Sequence, residues 1–299
     1  MNTHIKLSLI IAVFLILVGG ILFGLVMSVL KWDFSKLSTV KFQTNTHTVS
    51  EAFSDLSVNS TTADILLVAS ETAQCTVECV EQEHLTHTVA VENGTLTIDV
   101  KDTRRWYHRV GICFQKPTVI VKIPVGEYGA LSLNIDTGNV TVRDSFQFDS
   151  IDIATKTGNV TNLASANNAI RLHTTTGNIT LKNVTTDALT LQVTTGNIDV
   201  IDTTCQTLHS DGSTGDVSLR NVIASGSFTI KRSTGNICLD ACDAAELTLE
   251  TTTGNVTGSL LSEKIFIAET DTGRVQIPES ISGGPCRIRT DTGNIRIIL

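Results

Sequence analysis

The sequence is short of aromatic side chains, with two Trp, two Tyr and ten Phe in 299 residues, and has only four Pro. It has no basic patch with interleaved aromatics, and its formal charge of −8 is spread evenly. Those absences exclude a nucleic-acid-binding surface. No CxxC occurs among the seven cysteines, Cys75, Cys79, Cys113, Cys205, Cys238, Cys242 and Cys286. The two CxxxC pairs do not have zinc-ribbon spacing. On a strand, Cys75 and Cys79 stand roughly 13 Å apart, too far to bond each other. The odd number leaves at least one cysteine unpaired within the chain, and the set reads as scattered small hydrophobes. His84 and His87 are two of seven dispersed histidines. No metal, cofactor or catalytic residue is assigned.

What is present is a chain rich in Thr, Asn, Ile and Val, a composition that favours strands and turns over helices. One segment departs from this. Residues 7–30, "LSLIIAVFLILVGGILFGLVMSVL", carry no charge. At about 1.5 Å per residue they span roughly 36 Å, enough to cross a bilayer of about 30 Å with some tilt. No A-x-A-like cleavage site or lipid-modified cysteine position comes after it, only "KWDFSKL". The segment is therefore expected to be an uncleaved single-pass anchor. Trp32 and Phe34 suit the interface. Lys6 lies before the helix while Lys31, Lys36 and Lys41 lie after it. A naive positive-inside count thus favours a cytoplasmic domain. A short tail with a large C-terminal domain instead reads as a signal anchor that exports that domain.

Three Asp-Thr-Gly tripeptides, at 136–138, 271–273 and 291–293, match the one that carries the catalytic carboxylate of aspartic proteases. A repeat accounts for them. Thr-Gly recurs at Gly138, Gly158, Gly177, Gly196, Gly215, Gly235, Gly254, Gly273 and Gly293, with spacings of 20, 19, 19, 19, 20, 19, 19 and 20 residues. Such regularity signals a repeat architecture. Seven and five residues before the glycines the side chains are apolar, as in Leu131/Leu133 and Leu247/Leu249, with Ser210 the exception. Two after it stands Val or Ile, and four after it the residue is usually apolar. Period two on both sides of the glycine means two short strands meeting at a corner, each with one buried face.

Parallel rungs of this length suit a β-solenoid. Stacked at about 4.8 Å, nine rungs give a rod of roughly 43 Å. Asn139, Asn159, Asn178, Asn197, Asn236, Asn255 and Asn294 are expected to form a ladder along the corner, interrupted at Asp216 and Arg274. The residue before Thr-Gly varies among Asp, Lys, Thr and Ser, so Asp is one tolerated outward choice. A protease needs two such carboxylates face to face, sharing a proton. The calcium-binding GGxGxDxUx repeat is absent. Asp271 and Asp291, on neighbouring rungs, are the pair placed to share a cation.

The expected organisation is a tail at 1–6, the anchor at 7–30, a juxtamembrane linker at 31–40, an irregular β region at 41–130 and regular repeats at 131–299. Within the irregular region "STTADI" matches the later "STGNI", with Ala63 at the glycine position. The stretch "KDTRRWYHRV", 101–110, breaks the pattern. It reads as an exposed loop and a possible partner site through Arg104, Arg105, Trp106, Tyr107 and Arg109.

Taken together, "STTADILLVAS", "NGTLTID", "VIVKIPVGEYGALSLNIDTGNVTV" and the repeated "TTGNI" resemble the bacterial "putative-adhesin" domain of unknown function built from β-strand repeats. The resemblance covers about 250 residues. It implies a parallel β-helix-like domain, membrane-tethered and facing the cell surface in bacteria, and it brings no catalytic residues. The expected function is a non-enzymatic binding, adhesion or spacer surface in the cell envelope, with a protein or cell-wall partner or a role accessory to envelope signalling. The alternatives are self-assembly and a polysaccharide-acting enzyme. Self-assembly would run through an uncapped last rung, because strand "NIRIIL" ends the chain and open edges template pairing. An enzyme would need clustered acids and bases, of which His173, His209 and Asp211 come nearest. Ice binding through paired Thr rows is disfavoured, because Thr174 and Thr176 share the parity of the buried Leu172.

Overall fold

The computed structural model describes residues 3–38, 40–106 and 115–299. Tyr107, Arg109 and Cys113 lie outside them. A single helix, α1 (Thr3–Val29), opens the chain. Its span Leu7–Val29 has a mean hydropathy of 3.1 and is not buried against the rest of the protein. It is long and apolar enough to cross a membrane. A 3-10 turn comes next, at Phe34–Leu37.

Among the described residues, every element after it is a β-strand. The first six strands are β1 (Phe42–Val49), β2 (Asp55–Thr62), β3 (Asp64–Ala69), β4 (Cys75–Gln82), β5 (Leu85–Glu92) and β6 (Thr95–Asp102). Then come β7 (Thr118–Ile123), β8 (Gly126–Thr137), β9 (Val140–Val142), β10 (Phe146–Thr157), β11 (Val160–Asn162) and β12 (Ser165–Thr176). The long strands β13 (Ile179–Thr195), β14 (Ile198–Thr214), β15 (Val217–Thr234) and β16 (Ile237–Thr253) run through a second bend. The last five are β17 (Val256–Leu260), β18 (Lys264–Thr272), β19 (Val275–Gln276), β20 (Gly284–Thr292) and β21 (Ile295–Ile298).

From β8 to β17 the pairing is parallel and in register, so the protein is a parallel β-solenoid of about nine turns. Like stacks on like: Leu133 on Ile153 on Leu172 on Leu191, and Val140 on Val160 on Ile179 on Ile198. These columns are fully buried and form one continuous core. The irregular N-terminal region joins the same stack. β2 and β3 meet at Thr62-Ala63-Asp64 and pair with β8 and β9. β6 and β7 form the next layer out. Over that layer the β4–β5 hairpin lies antiparallel, with β1 antiparallel on β4, so this end has a cap of different grain.

At each corner the glycine N–H donates to the Thr carbonyl of the next rung, as from Gly138 to Thr157 at 2.9 Å. The glycine is required there twice over. At Gly196 φ is +143°, and an added Cβ would lie 1.9 Å from the Gly177 carbonyl oxygen. Ala63 is tolerated at the equivalent place because its φ is not positive, unlike that of the corner glycines, and the Asp64 N–H bonds the Pro117 carbonyl.

The asparagine ladder runs from side chain to backbone. Each Oδ1 accepts the N–H of the residue stacked on it, over 2.7 to 3.0 Å, starting from Asp64. Asp216 does not interrupt this file, contrary to expectation, since a carboxylate oxygen accepts as well as an amide oxygen does. Inside the corner a second file stacks, three residues before the glycine. Thr174, Thr251 and Thr290 are buried and donate to the glycine carbonyl of the preceding rung at 2.9 to 3.0 Å. Thr176, expected to point inward with Thr174, is instead exposed, because the backbone has already turned.

The rung order corrects the expected sequence of stacking. β16 and β17 pair with β20 and β21, not with β18 and β19. β18 and β19 pair on the far side of β20 and β21. Residues 284–298 are therefore interior, and 264–276 form the end rung; the supposedly uncapped last rung is covered on both sides. Three observations explain the exchange. Arg274 supplies no acceptor to the ladder, so it can only stand last, its N–H donating to Asn294 Oδ1. Cys286, Ile288, Ile295 and Ile297 fill the core, whereas Phe266 and Ala268 are only half-buried and Val275 is exposed. The outward file then reads Asp211, Lys231, Glu250, Arg289, Glu269, strictly alternating in sign. Stacking in chain order would set Glu250 against Glu269, a destabilising like-charge contact.

The end rung is fastened at its start. The buried Lys264 ammonium lies 2.6 Å from Asp243 and 2.7 Å from Ser262. Burial alone would raise the Asp243 carboxyl, but hydrogen bonds from Lys264 and Ser262 outweigh it and hold it below the ordinary value. A depressed folded pKa gives stability that is present above the unfolded value of about 3.9 and is lost as pH falls through the folded one. Amide exchange over 264–276 is expected to accelerate selectively below about pH 4. Asp243→Asn should reproduce that loosening at neutral pH, costing about 1–3 kcal/mol. Unchanged exchange in the variant would remove this pair from the account.

Candidate functional site

With the interior filled by Leu, Ile, Val, Phe and Thr, the chemistry available to a partner lies on the outer faces. The most charged feature is a shallow cleft on the first-strand face, lined by Asp211, Lys231, Arg232, Glu250, Arg289 and Asp291 among others. Lys231 and Glu250 pair at 2.9 Å, and Arg289 reaches Asp291 at 3.5 Å. Under the cleft Arg232 is buried. It donates to the Val193 carbonyl at 3.2 Å, and its Nε and Nη2 have no partner among the described residues. Burial lowers its pKa, partly offset by Asp211. Gly212 makes room for it, since a Cβ there would lie 1.6 Å from the guanidinium.

The corner edge is polar along its length. It carries exposed Thr137, Thr157, Thr176 and their stacked equivalents, beside Asn159, Asn178, Asn197, Asn236, Asn255 and Asn294, which are also exposed; Asn139 is half-buried. Of the Asp-Thr-Gly carboxylates, Asp136 pairs with Lys156 at 2.6 Å. Asp271 and Asp291 do stand on adjacent rungs, but Arg289 occupies Asp291, and they are not among the described groups of three ligand-type side chains gathered closely enough for a metal ion. His173, His209 and Asp211 do not gather either. His173 shares its file with Asp211, two rungs away, and His209 belongs to the neighbouring file.

In the 101–110 stretch, Lys101 and Asp102 belong to β6. Arg104 is held bidentately by Asp102 at 3.0 and 2.9 Å, and Trp106 is 80% exposed. Arg105 is described, while Tyr107 and Arg109 lie outside the described residues.

Among the described cysteines all thiols are free, and all but Cys238 are buried. Burial pushes Cys75 and Cys205 up to about 11 and Cys286 up to about 12, so they sit as protonated small hydrophobes. Sequence reasoning missed one constellation. Under the cap, Ser60 Oγ lies 3.1 Å from His87 Nε2, and His87 Nδ1 lies 2.9 Å from Glu81. The three have the order of a hydrolase triad, yet each is 5% exposed or less, so the hydroxyl does not face solvent. The motif was invisible because residues 60, 81 and 87 meet only through the β4–β5 hairpin and the layer stacking.

The Toastrack DUF4097 family matches residues 53–298 of the chain. No curated protein matches it. Among solved structures, a "putative adhesin" from Parabacteroides distasonis ATCC 8503 is 13% identical with a TM-score of 0.49, over 86% of this chain and 97% of its own. A "putative adhesin" from Bacteroides fragilis NCTC 9343 is 15% identical with a TM-score of 0.46, over the same shares. A "putative lipid binding protein" from Parabacteroides distasonis ATCC 8503 is 17% identical with a TM-score of 0.43, again over 86% and 97%.

Proposed function

The chain belongs to the Toastrack DUF4097 family, and on that premise we propose that it is a non-enzymatic, single-pass protein of the bacterial cell membrane whose solenoid is displayed outside the cytoplasm as a binding or adhesion surface. Residues 7–30 serve as the anchor, 31–40 as the linker, and 41–299 as the displayed rod. The observation that carries this reading is the pairing of an unburied apolar helix with a rod whose outer faces are polar and mixed in charge. A rigid stack of this kind recognises by surface complementarity, with charges setting specificity. The corner Thr and Asn rows, the Asp211–Glu269 file and the Arg104–Trp106 stretch are the contact surfaces we assign, to a protein or wall polymer. A second reading, self-assembly, is favoured by the open edge of β18 and β19, which leaves Ile265, Ile267 and Val275 exposed.

Cys238, the one exposed thiol among the described residues, provides a topology test. In a Cys113→Ser background, a membrane-impermeant maleimide should label intact cells as fully as lysed ones, and Cys238→Ser should abolish the signal. Labelling only after lysis would place the rod in the cytoplasm. In-cell crosslinking of the tagged full-length chain, read by mass spectrometry, then separates the roles. Envelope proteins or wall polymers support display, and the chain alone, crosslinked through 264–276, supports assembly.

A further inference from the structure

The buried cluster under the N-terminal cap has a composition that packing alone does not ask for. β4 carries Cys79 and Glu81 two residues apart, so both point into the core. Across the tight turn at 83–84, His87 of β5 faces them. One sulfur, one carboxylate oxygen and one ring nitrogen of these three lie within 4.8 Å of one another. All three residues are 4% exposed or less.

Their outer contacts are those a metal centre uses. Ligating histidines hold their second ring nitrogen in a hydrogen bond, and ligating carboxylates are hydrogen-bonded in turn. Here His87 Nε2 is engaged by Ser60 at 3.1 Å, leaving Nδ1 to face inward. Glu81 Oε1 accepts from Asn45 Nδ2 at 2.7 Å, and the inward Oε2 accepts the His87 backbone N–H at 2.6 Å, so both oxygens are held in place. A second histidine lies near the cluster in the register, outside the group of three. His47 is on β1, two residues from Asn45 and alternating to the same side, while Asn45 pairs with Cys79 itself. The His47 Nε2 is buried and has no hydrogen-bond partner among the described residues. A cleft between β1 and β5 runs past His47 and Val89, the latter two residues from His87.

We infer that Cys79, Glu81 and His87 form a binding site for a single zinc-class divalent ion, with Ser60 and Asn45 as positioning residues. Sulfur, imidazole and carboxylate together match zinc better than magnesium or calcium, which prefer oxygen alone. Two ligands of one tetrahedral zinc lie roughly 3.4 Å apart. The 2.9 Å between His87 Nδ1 and Glu81 thus opens by about half an ångström on loading. The ion replaces the thiol proton of Cys79, which leaves to solvent, while His87 ligates through Nδ1 as the neutral tautomer that keeps its proton on Nε2, toward Ser60. Bound there, it ties the hairpin to itself and, through Asn45 and Ser60, to β1 and β2.

The test uses the full-length chain in detergent, stripped of metal and titrated with cobalt(II) and then zinc chloride. One equivalent of cobalt should give a thiolate-to-metal charge-transfer band, zinc should displace it, and the melting temperature should rise with either ion. Cys79→Ala should lose the band, while Cys205→Ala, at a buried thiol elsewhere in the stack, should keep it. Ser60→Ala should retain the band and weaken affinity by about 10-fold. A wild-type chain with neither band nor melting shift overturns the site, whatever the variants do. So does a band that survives Cys79→Ala in a folded protein.

Discussion

Gly196→Ala, one methyl group in the middle of the stack, is expected to cost about 3–5 kcal/mol. Two penalties combine. The residue keeps φ near +143°, which L side chains rarely adopt, and the new Cβ would meet the Gly177 carbonyl at 1.9 Å. The neighbour in question is backbone, and the Gly177 N–H is bonded to the Thr195 carbonyl at 3.0 Å, so it cannot step aside without straining that bond. The control is Gly126→Ala, where a Cβ would meet only a Tyr128 ring carbon at 3.9 Å. That change should stay within about 0.5 kcal/mol. Thermal or denaturant unfolding of the two variants decides the matter. Equal midpoints would mean that the corners tolerate a side chain and that the Thr-Gly repeat has some other cause.

Ending the chain after Gly283 should do more damage than removing one rung. β18 has no described strand partner but β20, and β19 none but β21. Loss of 284–299 therefore frees 264–276 as well, and amide protection over both should vanish. The complementary deletion removes residues 263–282, which leaves nineteen residues from Gly254 to Gly293, the ordinary repeat. That chain should fold with β20 and β21 on β16 and β17, one layer shorter and otherwise protected. Protection of 264–276 in the first variant, measured by hydrogen exchange, would mean that these residues can stack directly on β16 and that the observed order is not obligatory.

Much of this architecture was legible in the residues. The spacing of Gly138 to Gly293 and the flanking alternation specify corner, strand and buried face without reference to contacts, because a solenoid repeats its environment every rung. Ala63 could be recognised as a corner for the same reason. The exchange of the last two rungs was not legible from periodicity, which is identical for both orders. Its signals are single residues, Arg274 in the ladder and Arg289 between Glu250 and Glu269, whose meaning depends on knowing which neighbour each meets. The Cys79–Glu81–His87 cluster was hidden more deeply. Its members follow no metal-binding spacing, and a hairpin running against the grain of the stack brings them together. Thr174 and Thr176 show the limit of counting parity: it holds along a strand and fails where the chain bends.

The exchanged rungs also bear on time. A chain emerging N-terminus first offers 264–276 to the open β16 edge before 284–298 exists. The two segments carry nearly the same Asp-Thr-Gly signature, so early docking there is an easy error with Val275 and Phe266 half satisfied. It can be corrected only by release, since the proper occupant arrives about ten residues later and must slide beneath. The little burial this segment reaches even in its proper place, with Phe266 and Ala268 half-buried and Val275 exposed, predicts that such a release is fast.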